Sequence, residues 1–251
     1  MDFSLLPTEF AARIGPMLCI FMAAFLQAVT GFGLVIIGAP LLMLFYDAKL
    51  TVLLMLVVSV CANLVQAPML RKEADWKMIG CIICGTLLGQ PLGFAVYHHA
   101  SDAAVRIIVS LAILFSVGMM QFLHFRMERR TRNSVLAGII SGMMTMTTGM
   151  AGPPLILYFA ACGLLPAVVR ATCICYFLLN GLCSLGTFIV GGTDFTQAAA
   201  EAAWLLPALI LGVLGGQAGF RFLPKRVFYP LVFALLIALS VYTLANTFFS
   251  C

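Results

Sequence analysis

Long apolar runs, separated by short polar or turn-forming stretches, dominate the sequence. Charged residues and clusters of glycine and proline divide it into ten runs, which we name A to E in the first half and A′ to E′ in the second. We take all ten as helical, because a bilayer admits only helices or closed barrels and the period-two alternation of barrel strands is absent. The runs are A (14–30), B (33–46), C (51–70), D (77–97), E (102–124), A′ (134–148), B′ (153–163), C′ (167–190), D′ (200–220) and E′ (226–247).

Composition assigns these runs to a membrane. Hydrophobic residues make up 63% of the 251 residues and charged residues 9%, whereas a soluble domain has about 25% charged residues. A soluble fold of this length could not cover so much apolar surface. We therefore predict an all-α polytopic membrane protein with no cleavable signal peptide, since the first residues lack a basic region and a cleavage site. We expect no enzyme activity, no cofactor, no metal and no nucleic-acid partner.

The two halves share features in the same order, which predicts an internal repeat. We expect a first repeat at 1–125, a basic cytoplasmic connector at 126–133 and a second repeat at 134–251. The matched pairs are Thr30-Gly31-Phe32-Gly33 with Thr147-Thr148-Gly149, Gly38-Ala39-Pro40-Leu41 with Gly152-Pro153-Pro154-Leu155, Asn63 with Asn180, and Gly85-x-x-x-Gly89-Gln90 with Gly212-x-x-x-Gly216-Gln217.

The distribution of lysine and arginine predicts that the repeats are inverted across the membrane. Five segments in each half give inverted repeats, whereas four give parallel repeats. With ten segments, 11 basic residues fall on one face and 3 on the other; with eight segments the division is 8 to 6. Because basic residues accumulate in cytoplasmic loops, the inverted arrangement is favoured. We therefore expect a multi-pass protein of the inner (plasma) membrane with both termini on the non-cytoplasmic side. This topology is the same whether runs A and B cross the membrane fully or form a re-entrant hairpin.

The interrupted pairs A/B and A′/B′ are the predicted binding site. Short, broken helices at matched positions are the best sequence indication of a transporter's site, because their unpaired backbone groups must line a cavity or meet a ligand. Helix N-termini, threonine hydroxyls and amides suit an anion. All nine acidic residues lie at segment ends or before the first run, which argues against a cation substrate. The candidate substrate-binding residues are Thr30, Gly31, Phe32, Gly33, Asn63, Gln90, Thr147, Thr148, Gly149, Gly152, Pro153, Arg170, Asn180 and Gln217.

Several of these residues also have a structural interpretation. The glycines could form tight hairpins, the amides could join helices, and Arg170 could extend to the cytoplasmic surface rather than attract an anion. The two Gly-x-x-x-Gly faces could pack within one chain or in a homodimer. Cys81-x-x-Cys84 gives an alternative function, a membrane thiol oxidoreductase, although lipid surroundings blunt thiol reactivity. An anion channel is a second alternative.

The same motifs resemble those of the sulfite exporter TauE/SafE family of membrane permeases, over about residues 15–245. The resemblance implies a bacterial inner-membrane permease for small sulfur-containing or carboxylated anions, such as sulfite, sulfonates or sulfoacetate, that works by alternating access. The residues on which it depends are Gln27-x-x-Thr30-Gly31-Phe32-Gly33, Gly38-x-Pro40-Leu41, Ser141-Gly142, Gly149-x-x-Gly152-Pro153-Pro154, Arg170-Ala171-Thr172 and the two glycine–glutamine motifs of D and D′.

Overall fold

The computed structural model describes residues 6–122 and 128–219, and within these ranges the chain forms nine α-helices and no strand. Run E′ and part of the basic connector lie outside the described residues. The helices are α1 (Leu6–Thr30), α2 (Leu34–Leu42), α3 (Ala48–Leu70), α4 (Trp76–His99), α5 (Asp102–Phe122), α6 (Thr131–Thr148), α7 (Gly152–Ala161), α8 (Pro166–Val190) and α9 (Thr196–Gly219).

The predicted fold class, an all-α membrane protein, is confirmed. Five of the described helices (α1, α3, α4, α8 and α9) are long and apolar enough to cross a membrane. Helix α1 begins earlier than run A, at Leu6. Helices α2 and α7 have only 9 and 10 residues, so each is about 15 Å long or less. That is half of the roughly 30 Å hydrocarbon core, and neither helix crosses it alone.

Glycines let two pairs of helices pack backbone against backbone. Gly89 of α4 faces the backbone of Ile139 in α6, and Gly216 of α9 faces the backbone of Phe25 in α1 so closely that a Cβ on either glycine would overlap a carbonyl oxygen. Small residues at such contacts are the usual means of helix association in membranes. Both Gly-x-x-x-Gly faces therefore pack within this chain.

Helices α3 and α8 pack together at the centre of the molecule and run in opposite directions. Val60 in the middle of α3 lies against Gly181 in the middle of α8. Beyond the end of α3, the backbone N–H of Asp75 donates to Thr172 Oγ1, near the start of α8, at 3.0 Å. Helix α3 is also the most deeply buried of the candidate spans, with 67% of its most apolar window inside the structure.

Polar contacts join the helix ends at one side of the bundle, which we call the Arg13 end. Arg13 forms an ion pair with Glu201 at 2.9 Å, and Tyr46 donates a hydrogen bond to the same carboxylate at 2.9 Å. Burial and this hydrogen bond raise the pKa of Tyr46, so its phenol stays protonated. The backbone N–H of Lys49 donates to Asp102 at 2.9 Å. Arg106, one turn after Asp102, donates to the carbonyl of Met43 at 3.2 Å, so Arg13, Lys49 and Arg106 lie at the same end.

At the opposite side of the bundle, which we call the Asp75 end, an acidic residue pairs with the basic connector. Asp75 lies 3.8 Å from Arg129 of the connector. Its contact with Thr172 places the start of α8 at this end too. Arg129 therefore lies at the end of the bundle opposite to Arg13, Lys49 and Arg106.

Gly89→Leu should prevent stable packing of α4 on α6. The added side chain has no space beside the Ile139 backbone, and overpacking of this kind costs about 3 kcal/mol. We expect a large loss of monodisperse protein in detergent and a melting temperature lowered by several degrees. Gly80→Leu on the same helix is the control, because no atom lies within 4 Å of a Cβ there. Equal melting temperatures for the two variants would contradict the packing described.

Candidate functional site

The first turn, residues 31–33, joins α1 to α2 and is shaped by Thr30. The Thr30 hydroxyl donates to the carbonyl of Leu26 at 2.9 Å and accepts from the backbone N–H of Phe32 at 3.2 Å. Gly31 and Gly33 have φ of 86° and 115°, a region that favours glycine because it has no Cβ. Helix α1 therefore ends at a defined residue, and the chain reverses within three residues.

The second turn, residues 149–151, joins α6 to α7 and has the same internal geometry. The Thr148 hydroxyl donates to the carbonyl of Met144 at 2.7 Å and accepts from the backbone N–H of Met150 at 3.2 Å. Gly149 has φ of 74°. Thr148 is thus the counterpart of Thr30, whereas the neighbouring Thr147 hydroxyl donates back to the carbonyl of Met143 at 3.0 Å. In this conformation the three threonine hydroxyls shape turns and helix ends.

A small cavity of about 30 Å³ lies between the two turns. That is room for about two water molecules, since one needs roughly 10–15 Å³ by this measure. The N-terminal residues of α2 and of α7 both line it, so the positive ends of two helix dipoles are directed at the same space. The lining residues are Gln27, Gly33, Leu34, Val35, Ile36, Leu56, Ser59, Thr145, Gly149, Met150, Ala151, Gly152, Phe177, Asn180 and Gly181.

Four of the candidate residues line this cavity: Gly33, Gly149, Gly152 and Asn180. The others lie around it. Thr30, Gly31, Phe32, Thr147 and Thr148 belong to the two turns or to the last turn of the helix before them, and Pro153 is the second residue of α7.

Asn63 lies behind the cavity wall on the side of the first turn. It is fully buried in α3, its Oδ1 accepts from Gln27 Nε2 at 2.7 Å, and its Nδ2 donates to Ser59 Oγ at 3.2 Å. Gln27 and Ser59 themselves line the cavity. Asn63 therefore positions two cavity residues.

Asn180 lies at the cavity itself, on α8, and has its own set of amide and hydroxyl partners. Its Nδ2 donates to Thr145 Oγ1 at 2.9 Å, and its Oδ1 accepts from Gln90 Nε2 at 3.2 Å. Gln90 also donates to Ser184 Oγ at 2.9 Å and accepts from the Thr187 hydroxyl at 3.0 Å. Gln90 thus joins α4 to α8 and holds Asn180 from the side away from the cavity.

Gln217 is not the counterpart of Gln90, so the predicted pairing is wrong by one helical turn. Gly212 packs on the backbone of Phe21, and Gly89 packs on the backbone of Ile139. Phe21 and Ile139 are equivalent positions, because they lie ten residues before Gly31 and Gly149, respectively. Gly212 is therefore the counterpart of Gly89. The residue after Gly212 is Val213, which is 1% exposed. Gln217 itself is partly exposed on α9 and lies outside the cavity lining.

Arg170 contacts the first turn rather than the cavity. Its Nη2 donates to the carbonyl of Ala28 at 2.5 Å, and its Cα lies 2.8 Å from where a Cβ on Gly31 would stand. A residue larger than Gly31 would therefore clash with Arg170, and it would also have to adopt a φ that favours glycine. Arg170 links the start of α8 to the end of α1.

A buried hydroxyl network holds the second turn. Ser141 donates to the carbonyl of Ala151 at 2.7 Å, and Tyr176 donates to Ser141 Oγ at 3.0 Å. The Tyr176 hydroxyl also lies 2.7 Å from Thr86 Oγ1. The turn is thereby fixed to α6, α8 and α4 together.

Three polar residues that line the cavity are not among the binding residues predicted from the sequence: Gln27, Ser59 and Thr145. Gln27 and Thr145 each lie four residues before the glycine of their turn, and Ser59 lies four residues before Asn63. Four-residue spacing puts side chains on one helix face, so this spacing could have identified all three. Cys81 and Cys84, in contrast, are partly exposed and exposed on α4, away from the cavity.

Comparison with known proteins identifies the family of this chain. The chain is 24% identical over 204 residues to a protein of Cupriavidus necator named "Probable sulfite/organosulfonate exporter TauE"; the match covers 77% of this chain and 78% of that protein. No solved structure matches. A family model described as "Sulfite exporter TauE/SafE" matches residues 17–243. The chain therefore belongs to the sulfite exporter TauE/SafE family of membrane transport proteins.

Proposed function

We propose that this protein moves small organic or sulfur-containing anions, such as sulfite, sulfonates or sulfoacetate, across the bacterial inner membrane. The central observation is the cavity between the two turns, where the N-terminal residues of α2 and α7 face the same space. The family match and the C. necator relative support transport of this class of substrate.

The binding site is the cavity itself, with the anion held by uncharged groups. The first three N–H groups of a helix have no partner within the helix, and at α2 these belong to Leu34, Val35 and Ile36. The amides of Gln27 and Asn180 and the hydroxyl of Ser59 complete a neutral polar lining. A helix N-terminus with such a lining can bind an anion without help from a basic side chain.

The chain consists of two inverted repeats, with the connector in the cytoplasm and both termini outside. The antiparallel packing of α3 on α8 supports inversion, because a parallel repeat would set these two equivalent helices in the same direction. The matched contacts α1–α9 and α6–α4 and the equal geometry of the two turns support the duplication.

Transport occurs by alternating access. The cavity, about 30 Å³ in this conformation, leaves little room for sulfite, which has four non-hydrogen atoms, so we expect the two turns to separate on binding. Rocking of one repeat against the other would open the site to each face in turn.

Flux of anions into proteoliposomes, and thermal stabilisation of purified protein by the same anions, test this function. We expect a saturable effect from sulfite, sulfonates or sulfoacetate, because a bound ligand stabilises by mass action. Gly149→Leu should reduce flux to about a tenth or less, since the new side chain must enter a φ of 74° beside Val35. Gly163→Leu is the matched control: its φ is 65°, but nothing lies within 4 Å.

Full flux through Gly149→Leu would contradict the assigned site. A non-saturating flux that gives current in planar bilayers would favour an anion channel instead.

Epitope accessibility tests the inverted topology. An epitope inserted after Gly192 should be accessible on intact spheroplasts, and one inserted after Glu128 only after permeabilisation. In the eight-segment, parallel arrangement both positions would lie on the same side of the membrane, so equal accessibility would overturn the inverted topology.

The double variant Cys81→Ser, Cys84→Ser tests the thiol oxidoreductase alternative. Cys81 is partly exposed and Cys84 is exposed on α4, and neither lines the cavity, so we expect anion flux within about twofold of the unmodified protein. Loss of flux in a variant that retains its melting temperature would favour the thiol mechanism.

A further inference from the structure

We propose that Arg170 is the latch of a gate on the side of the cavity that faces the Asp75 end. In the closed gate it holds the first turn against the start of α8. This inference rests on the proposed function, because a gate has a role only if the cavity opens for a substrate. It adds the residue that controls one of the two exits and a difference in chemistry between the exits.

Arg170 lies between the Asp75 end and the first turn. It is two residues before Thr172, whose hydroxyl oxygen accepts from the backbone N–H of Asp75 at 3.0 Å. Its side chain is partly exposed and interacts electrostatically with Glu73, an exposed residue of the connection between α3 and α4. On the other side, the Arg170 Cα lies 2.8 Å from where a Cβ on Gly31 would stand. The arginine therefore contacts the first turn and is within reach of solution at this end.

The hydrogen bond of Arg170 caps the end of α1. Helix α1 ends at Thr30, and the last four carbonyls of a helix have no partner within it. The carbonyl of Ala28 is one of these, and it accepts from Arg170 Nη2 at 2.5 Å. A cation is favoured at a helix C-terminus, where the negative end of the helix dipole lies, and hydrogen bonds from a charged donor are among the stronger ones.

This bond connects two helices whose main packing partners lie elsewhere. Helix α1 packs through Gly212 and Gly216 on α9, and helix α8 packs on α3. Arg170 thus links two separately packed pairs of helices at one place, which is where a latch can act. Release of the bond would let the first turn move away from α8 without breaking the glycine packing of α1 on α9.

The second turn is closed by apolar side chains and backbone. The atoms nearest to a Cβ on Gly149 belong to the Val35 side chain, the Val52 carbonyl and the Met55 Cβ, at 3.4, 3.6 and 3.9 Å. Val52 lies near the start of α3, three residues after Lys49 of the Arg13 end. The cavity is therefore closed by a charged latch towards the Asp75 end and by uncharged contacts towards the Arg13 end. Loss of the arginine should open the first exit and leave the second closed.

Labelling of a cysteine in the cavity, from one side of the membrane at a time, tests the latch. Ser59 lines the cavity, so Ser59→Cys provides the thiol. Modification of residue 59 by a membrane-impermeant maleimide is measured by mass spectrometry of its peptide, so the native cysteines do not interfere. Vesicles of both orientations expose the two ends separately, and an epitope after Glu128 identifies the Asp75 end, because the neighbouring Arg129 pairs with Asp75. No substrate is added.

In the Ser59→Cys protein, Arg170→Met should raise the labelling rate from the Asp75 end about tenfold, because the gate loses a hydrogen bond from a charged donor. Methionine keeps much of the apolar stem of the arginine, so we expect labelling from the Arg13 end to stay within about twofold. Arg170→Lys retains a charged donor without the planar fork and should give an intermediate increase of about threefold.

Arg132→Gln is the matched control. Arg132 is exposed near the start of α6, at the same end of the bundle, and it is not among the groups that contact Gly31. The substitution removes the same charge from the same end, so we expect labelling equal to that of the Ser59→Cys protein. Melting temperatures of the purified proteins check the fold of each variant.

Unchanged labelling from the Asp75 end in both Arg170 variants would overturn the latch. An increase from the Arg13 end as large as that from the Asp75 end would also overturn it, because a loosened fold rather than one gate would then be responsible. Flux of sulfite through the unsubstituted protein in proteoliposomes is measured separately. Absence of flux would contradict the proposed function, whereas the labelling is done without substrate and tests the latch on its own.

Discussion

A backbone amide inside a bilayer must find a hydrogen-bond partner, because lipid offers none, and this requirement governs the rest of the structure. Two helices end at Thr30 and Thr148, and each is followed by a glycine-containing turn and a short helix. Each threonine hydroxyl satisfies part of the broken backbone, and each turn then starts a short helix whose free N–H groups face a common cavity. Long helices that pack through glycine hold the two turns opposite each other. The fold thus places unpaired donors where only a ligand or water can meet them.

The two halves share this scaffold but differ in the groups that support it. Asn63 holds Gln27 and Ser59, whereas Asn180 is held by Gln90 and bonds Thr145. Ser141 and Tyr176 fix the second turn, and Arg170 contacts the first. The two turns are thus held in place by different side chains.

Much of this architecture could be predicted from the sequence, because lipid imposes simple rules on length and polarity. Runs of apolar residues located the helices, and Thr30-Gly31 and Thr148-Gly149 located the turns. The predicted pairing of Gln90 with Gln217 was wrong because glycines recur at every turn of these helices, so an alignment shifted by four residues matches equally well. The backbone contacts of Gly89 and Gly212 show which alignment of α4 with α9 is correct. The cavity wall was predicted only in part, since whether Gln27 or Asn63 reaches the cavity depends on side-chain packing.

An experimental structure with bound bromomethanesulfonate would test the central claim most directly, because anomalous scattering locates the bromine independently of the sulfonate. The anion should lie between the two turns, with its oxygens within hydrogen-bond distance of N–H groups at the starts of α2 and α7. A sulfonate bound elsewhere in the molecule, with the space between Gly33 and Gly149 empty, would contradict it.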